Sequence, residues 1–435
     1  MKISDQTWFS CIGVKTYVAA FCVSVMMALV LLVAAAFLPQ YLIQQNVADS
    51  VELVMQDFEN NYLFDKSAAS QLDVFTDVMM LRTSLTTNDR YLGSVLTNPI
   101  YTYDGLAVWE GSPETLARLA YDIPSDGVWY YARYWMGFRV VLRLALLFFN
   151  YAQIKRYTAF LFLSLFAAVI CSLSRHTNSR IAFFFALSII LVRPHVMATS
   201  MQFTCCFFIA FAAMLLVPWL YRHPKWEGLF FLELGILTRY FDFYTVPLVT
   251  LGFPMVYLWI LRQEGSRPGT FRTLFRNMAL WFLGYGGMWI TKLTLTTLLT
   301  SENALQHGLE SLLSRVGIRK DAQLDQYYSL EAAVDGLQES IFSDDAGRVV
   351  YLLCAGILLA VVLWKVFRGH VPRENFRSAA PYLFFGSIPL VWFVITKQPI
   401  ALHFFFQYRT IALTHWAVGV FLCYLLPAKS REQTK

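Results

Sequence analysis

TYVAAFCVSVMMALVLLVAAAFL, residues 16–38, decides the architecture. The run is unbroken and apolar, and about 20 such residues suffice for a helix to cross the hydrocarbon of a bilayer. Lys2 and Lys15 precede it, and no clear small-residue cleavage site follows Leu38. It reads as a retained signal anchor with the N-terminus on the cytoplasmic side. Next comes a stretch, 39–137, that cannot be a span and in which acids outnumber bases by more than two to one. From residue 138 onward the chain is almost entirely apolar segments joined by short basic links.

Composition agrees. Of 435 residues, 57% are hydrophobic, 17% aromatic and only 15% charged, against about 25% charged in a soluble domain. The chain therefore reads as an all-α polytopic integral membrane protein, a single domain over 1–435. The net charge of +6 sits mostly in the links, which is a topology signal rather than a nucleic-acid surface. None of the seven cysteines lies in 39–137, and no disulfide framework or metal-type spacing exists.

Apolar segments at 16–38, 138–152, 157–173, 179–193, 197–220, 227–240, 244–262, 275–299, 347–366, 380–396 and 404–426 predict a bundle of ten or eleven transmembrane helices. Basic links at 174–180, 221–226, 261–277, 364–377 and in the tail AKSREQTK are expected inside. The stretches 39–137, 192–195, 239–245, 300–346 and 395–409 are then expected outside. Parity leaves 138–152 open between a crossing helix and a re-entrant or interfacial one. Apolar periodicity in 50–64 and 71–83 predicts amphipathic helices suited to a membrane surface, and 300–346 is also helix-like.

Four groups of residues stand out for chemistry. In LDVFTDVMML (72–81), Asp73 and Asp77 are one helical turn apart, so their carboxylates converge, one pKa rises, and the pair suits acid/base work or a divalent cation. A solvated helix face is the plain alternative. In YYARYWMGFRVVLRLALLFFN (130–150), Arg133, Arg139 and Arg143 open an apolar segment. A lipid phosphate or diphosphate would partner them, as would ordinary head groups through snorkelling. Trp135 and its tyrosine neighbours read as an interfacial belt. Arg239 and Asp242 lie at a turn between two apolar runs, placed to pair with each other or to face an outer site. Lys397, His403, Gln407 and Arg409 join Arg193 and His195 in an outer cluster of cations that calls for an anionic ligand. No P-loop, GxGxxG, HExxH or GxSxG is present.

The layout resembles the GT-C superfamily of multispan glycosyltransferases, which take a sugar from a polyprenyl-phosphate donor outside the membrane. The segments LDVFTDVMML, ARYWMGFRVVLRL (132–144), MQFTCCFF (201–208), LTRYFDFYTVPLVTLGFP (237–254) and HFFFQYR (403–409) resemble those of bacterial membrane proteins linked with surface polysaccharide. There the later segments read YWHGY, LRPLL and NHSxxHxFFTYR. Here Met136 replaces the histidine, Leu144 the proline, and Lys397 stands near the asparagine, while His403, Tyr408 and Arg409 are kept. The resemblance implies an inverting transferase with a catalytic acid in the first outer loop: Asp77 first, then Asp73, then Asp49. It implies donor-phosphate contacts from Arg143, Arg409, Arg193 and Arg133, and substrate contacts from Asp242, Arg239, His403, Tyr408 and Trp135. The implied partners are a polyprenyl-phosphate-linked sugar, a glycan or lipid acceptor and membrane lipids, with no required cofactor and a divalent cation optional. A polysaccharide polymerase, or a non-enzymatic export or flippase component, is the neighbouring reading.

Overall fold

The first apolar run is a single helix, α1 (Val14–Ala36), in a computed structural model that describes residues 12–426 except 64, 87–90, 104–112, 266–268, 319–326, 343–344 and 369–370. Lys2 and the basic tail lie outside the described residues. Only six residues of α1 are buried, and Val18, Val23, Met26, Met27 and Val30 face outward. So large an apolar surface is stable only against a non-aqueous neighbour.

The long stretch after α1 holds α2 (Gln40–Ala48), α3 (Val51–Glu59), α4 (Val74–Leu85), α5 (Tyr91–Thr97) and α6 (Pro113–Ala120). An antiparallel pair, β1 (Pro99–Thr102) and β2 (Gly127–Tyr130), registers Pro99 opposite Tyr130. The helical periodicity gave no sign of these strands. Nor is α4 a surface helix, because its residues from Asp77 to Leu85 are all buried. Packing by α2, α3, α6 and later helices covers it on every side.

The remainder is α7 (Phe138–Ala145), α8 (Tyr151–His176), α9 (Ser179–Ile190), α10 (Pro194–Thr199), α11 (Met201–Arg222), α12 (Glu227–Phe241), α13 (Leu248–Glu264), α14 (Phe271–Leu299), α15 (Ala304–Arg315), α16 (Leu330–Ile341), α17 (Asp345–Phe367), α18 (Arg373–Ala379), α19 (Pro381–Ile395), α20 (Lys397–Leu402), α21 (Phe404–Gln407) and α22 (Ala412–Leu425). Among the described residues five helical stretches are long and apolar enough to cross a bilayer: α1, α8, α11, the 348–367 part of α17, and α18 with α19. The protein is all-α apart from its small hairpin, and these helices are compatible with a membrane protein.

The eleven apolar segments are not eleven full-length helices. Eight residues of α7 rise about 12 Å, too little to cross about 30 Å of hydrocarbon, so 138–152 is no helical span. Its last two residues open α8, which starts at a capping box formed by Asn150 and Gln153. Likewise α9 has 12 residues, and 404–426 is broken into α21, a 3₁₀ turn and α22. Helices α12 and α14 touch backbone to backbone. A methyl group at Gly235 would strike the Trp281 carbonyl, and one at Gly284 the Leu232 carbonyl.

What fastens the 39–137 stretch to the bundle is a set of buried cations on backbone carbonyls. A helix ends with carbonyls that have no partner inside it. Arg143, 1% exposed, donates to Ala35 O (2.8 Å), Leu38 O (3.3 Å), Ser84 O and the Gln40 side chain (3.1 Å), closing the ends of α1 and α4 together. Arg139 donates to Thr86 O (3.3 Å) and Asn98 Oδ1 (3.2 Å). Lys292 of α14 donates to Val95 O (2.9 Å) and Leu96 O (2.6 Å) at the end of α5. Within the stretch itself, Arg82 donates to Tyr101 O of β1 (2.8 Å).

Each buried carbonyl deprived of its donor costs about 1–3 kcal/mol. Arg143→Gln is therefore expected to lower the melting midpoint of the solubilised protein steeply. Arg143→Lys should rescue it poorly, because an ammonium cannot match the planar fork. A normal melting curve for both variants would remove the clasp.

Candidate functional site

Asp73 and Asp77 do come together, by a route the sequence spacing described only in part. Asp73 is not in the helix. It caps α4 from φ −92°, ψ 64°, with Oδ1 accepting the Thr76 N–H at 3.1 Å. Asp77 lies in the first turn. Its Oδ2 accepts the Tyr151 hydroxyl at 2.9 Å, and its Oδ1 faces the Gln202 N–H at 3.4 Å. Three elements thus meet at one carboxyl: α4, the start of α8 and the start of α11. Tyr151 is fixed in turn by its own N–H on Ser50 Oγ (2.9 Å). Nearby, Lys155 pairs with Asp57 at 2.6 Å.

The pair is buried, not solvated: Asp73 is 5% exposed and Asp77 2%. Burial pushes Asp73 up to about 6, against the opposing Thr76 hydrogen bonds and Arg409. Burial also pushes Asp77 up to about 7, with Asp73 adding repulsion while Lys155, Tyr151 and Gln202 pull the other way. Such a carboxyl changes charge near neutral pH, as a general base should. Among the described residues no three His, Cys, Asp or Glu gather as metal ligands. A divalent cation here would have these two carboxylates and water.

An apolar cavity of about 480 Å³ lies between α7, α8 and α11. Phe138, Leu142, Ile154, Leu161, Phe208 and Ile209 are among its lining. Met80, one turn beyond Asp77, and Met201, beside Gln202, line it too. Its wall thus reaches the elements that hold the acid pair.

Of the expected outer cation cluster, Arg409 and Arg193 lie near the acids, while His403 lies near a separate group of arginines. Arg409, 1% exposed, stacks on Phe203 (4.5 Å) and donates to Phe405 O (2.6 Å) and Ala69 O (3.0 Å), leaving a buried Nε without a partner. Arg193 bridges Asp65 at 3.1 Å and reaches Ser67 and Ser70. Hydrogen bonds from Ser67, Ser70 and Arg193 outweigh burial and hold Asp65 well below the usual carboxylate range.

That separate group, outside the expected cluster, surrounds Tyr134. Arg315 donates to its hydroxyl at 2.6 Å, while Arg133 and Arg239 sit 5.6 and 5.3 Å from its ring centroid. Burial raises the Tyr134 phenol, but Arg315, Arg133 and Arg239 together bring it down to about 8. Burial drives His403 down to about 4, and Arg315 and Arg133 add to it.

Several expected site residues are engaged within the fold or stand apart from the acid pair. Arg143 is the clasp described above, its donors turned to protein oxygens rather than toward a phosphate. Trp135 is fully buried and donates Nε1–H to Met288 O at 2.8 Å, so it is a wedge and not an interfacial belt. Tyr408 is buried and bonds Val192 O at 3.3 Å. Asp49 is exposed where α2 ends. Arg239 and Asp242 make no ion pair. Asp242 instead closes its own turn, accepting from Tyr244 N (2.8 Å), Thr245 N (3.0 Å) and Thr245 Oγ1. That turn holds Tyr244 at φ 74°, and Arg193 stands at φ 57°. Such left-handed residues cost about 1–3 kcal/mol each and concentrate at functional sites. Sequence reasoning passed over Tyr151 and Arg315. Tyr151 had no local mark, and Arg315 lay in an ordinary amphipathic helix.

No family model matches the sequence, and neither a curated protein nor a solved structure matches it.

The raised Asp77 pKa fixes the sign of a pH effect. A carboxyl raised from 3.8 to about 7 contributes stability that is fully present below pH of about 4 and lost as pH rises through about 7. At about 1.4 kcal/mol per pKa unit, the contribution is on the order of a few kcal/mol. Asp77→Asn is expected to flatten this slope and to melt higher than wild type at pH 8, with no gain at pH 4. A lower melting midpoint for the Asn variant at pH 8 would show that the fold requires the charge.

Proposed function

We propose that this chain is a membrane glycosyltransferase. It moves a sugar from a polyprenyl-phosphate donor to a cell-surface glycan or lipid-linked acceptor on the outer face of the cytoplasmic membrane. The observation that carries the reading is a buried acid pair, poised to change charge near neutral pH, beside an apolar cavity between α7, α8 and α11. An isoprenoid chain suits a lining of methionine, leucine, isoleucine and phenylalanine, because burying its methylenes yields about 0.8 kcal/mol each. The sugar–phosphate end of such a donor would then lie near Asp73 and Asp77.

In this mechanism Asp77 Oδ2 exchanges the Tyr151 hydroxyl for the acceptor hydroxyl and removes its proton. The acceptor oxygen bonds to the anomeric carbon as the bond from that carbon to the phosphate oxygen breaks, so the configuration inverts. The leaving phosphate takes the bonding pair. Arg409, with one donor unused, stabilises the charge that develops there, with Arg193 beside it. Asp73 tunes Asp77 through repulsion, as two close carboxyls hold one proton more tightly.

Surface-glycan composition in a deletion strain tests this. Deletion should remove one sugar substituent. Wild type should restore it, and Asp77→Asn at equal membrane abundance should not, since losing a general base costs about 10²–10⁴-fold. Tyr151→Phe should stay active and move the acidic limb of the pH profile upward, because one hydrogen bond to the carboxylate is lost. Full restoration by Asp77→Asn, or an unchanged glycan after deletion, would refute the proposal.

A further inference from the structure

Arg133, Arg239 and Arg315 come from three distant parts of the chain: the link before α7, the end of α12 and the end of α15. Among the described residues none of the three makes an ion pair. Aromatic faces and hydroxyls take the place of carboxylates. Arg133 stacks on Tyr131 (4.8 Å) and reaches its hydroxyl (3.2 Å). Arg239 lies over Tyr285 (5.3 Å) and Trp289 (5.4 Å) and reaches the Tyr285 hydroxyl at 3.3 Å. Arg315 stacks on Tyr244 at 4.4 Å. Stacking orients a guanidinium and offsets part of its desolvation, but it supplies no counter-charge.

Two donors show what is missing. The Nε groups of Arg133 and Arg239 are buried without a hydrogen-bond partner, and Arg239 is 4% exposed. Leaving a buried charged donor unmet is costly, as is holding three like charges around one ring. The carboxylate that Arg239 senses is Asp242, whose oxygens both serve the backbone of its own turn. His403, on which Arg133 and Arg315 also act, stays neutral at pH 7. Cations gathered in this way fit a ligand bearing more than one negative charge with oxygens for planar forks.

We propose that Arg133, Arg239 and Arg315, arranged around Tyr134, form a binding site for a phosphate-class oxyanion, a monophosphate or diphosphate group, and that the anion fastens α15 to the bundle. Arg315 and Ser311 are the α15 residues that reach it, Ser311 through Arg133 at 3.3 Å. The site stands apart from the transferase reading, whose phosphate meets Arg409, and holds whether or not that reading does.

The test uses the full chain in nanodiscs of phosphatidylcholine. Inorganic pyrophosphate and undecaprenyl phosphate are titrated separately by calorimetry, against wild type and Arg315→Gln. Both proteins are also melted, to confirm that the variant is folded. The expected result is binding to wild type that weakens at least tenfold in Arg315→Gln, with slower amide exchange over 304–315 when the anion is present. The tyrosinate titration missing in Tyr134→Phe should move to higher pH on binding, because the anion neutralises the cations that lower it. If pyrophosphate binds, a free anion suffices. If only undecaprenyl phosphate binds, the site reads a lipid head group, and either result supports the proposal. If neither binds wild type, or if folded Arg315→Gln binds as well as wild type, the proposal fails.

Discussion

The structure depends on giving hydrogen-bond donors to buried helix ends. Short helices α2–α7 crowd against the ends of long apolar ones, so their last carbonyls are buried. Arg139, Arg143 and Lys292 meet them. A buried cation is expensive on its own, and a buried carbonyl without a donor is expensive too. Each offsets part of the other's penalty. The arrangement fixes α1, α4, α5, α7 and α14 in one register, and that register places Asp77 against Tyr151 and the start of α11.

The buried arginines differ in how far protein oxygens fill them. Arg143 spends Nε, Nη1 and Nη2 on protein oxygens. Arg82 and Arg139 keep one buried nitrogen unmet, as do Arg133, Arg239 and Arg409. Arg133 and Arg239 differ from the clasp arginines in that their other contacts are aromatic faces and hydroxyls rather than carbonyls. Asp77 is a joint between three helices as well as a proposed base. Burial gives it both properties, since the environment that makes it structurally decisive also lifts its pKa toward neutrality.

Much of the frame was legible in the sequence. Residues 16–38 gave α1, and the i,i+4 spacing of Asp73 and Asp77 gave the convergence of the carboxyls. The rest depended on tertiary contacts. Arg143 and Arg133 look alike in sequence, each an arginine beside an apolar run, and only the position of the α1 and α4 ends decides which is a clasp. The strands PIYT and GVWY are four residues each, too short for a period of two to show. The periodicity of 71–83 suggested a surface helix because it marks one apolar face. It carries no sign that neighbours would cover the other. Arg315 reaches Tyr134 across 181 positions, a partnership no local pattern encodes.

The most direct measurement is electron cryo-microscopy of the protein in nanodiscs with bound undecaprenyl phosphate. Density for an isoprenoid chain is expected in the cavity between α7, α8 and α11, with its phosphate facing Arg409 and the Asp73–Asp77 pair. A cavity filled by ordinary bilayer lipid, with the added phosphate bound away from both carboxyls, would contradict the assignment of this site to a polyprenyl-linked substrate.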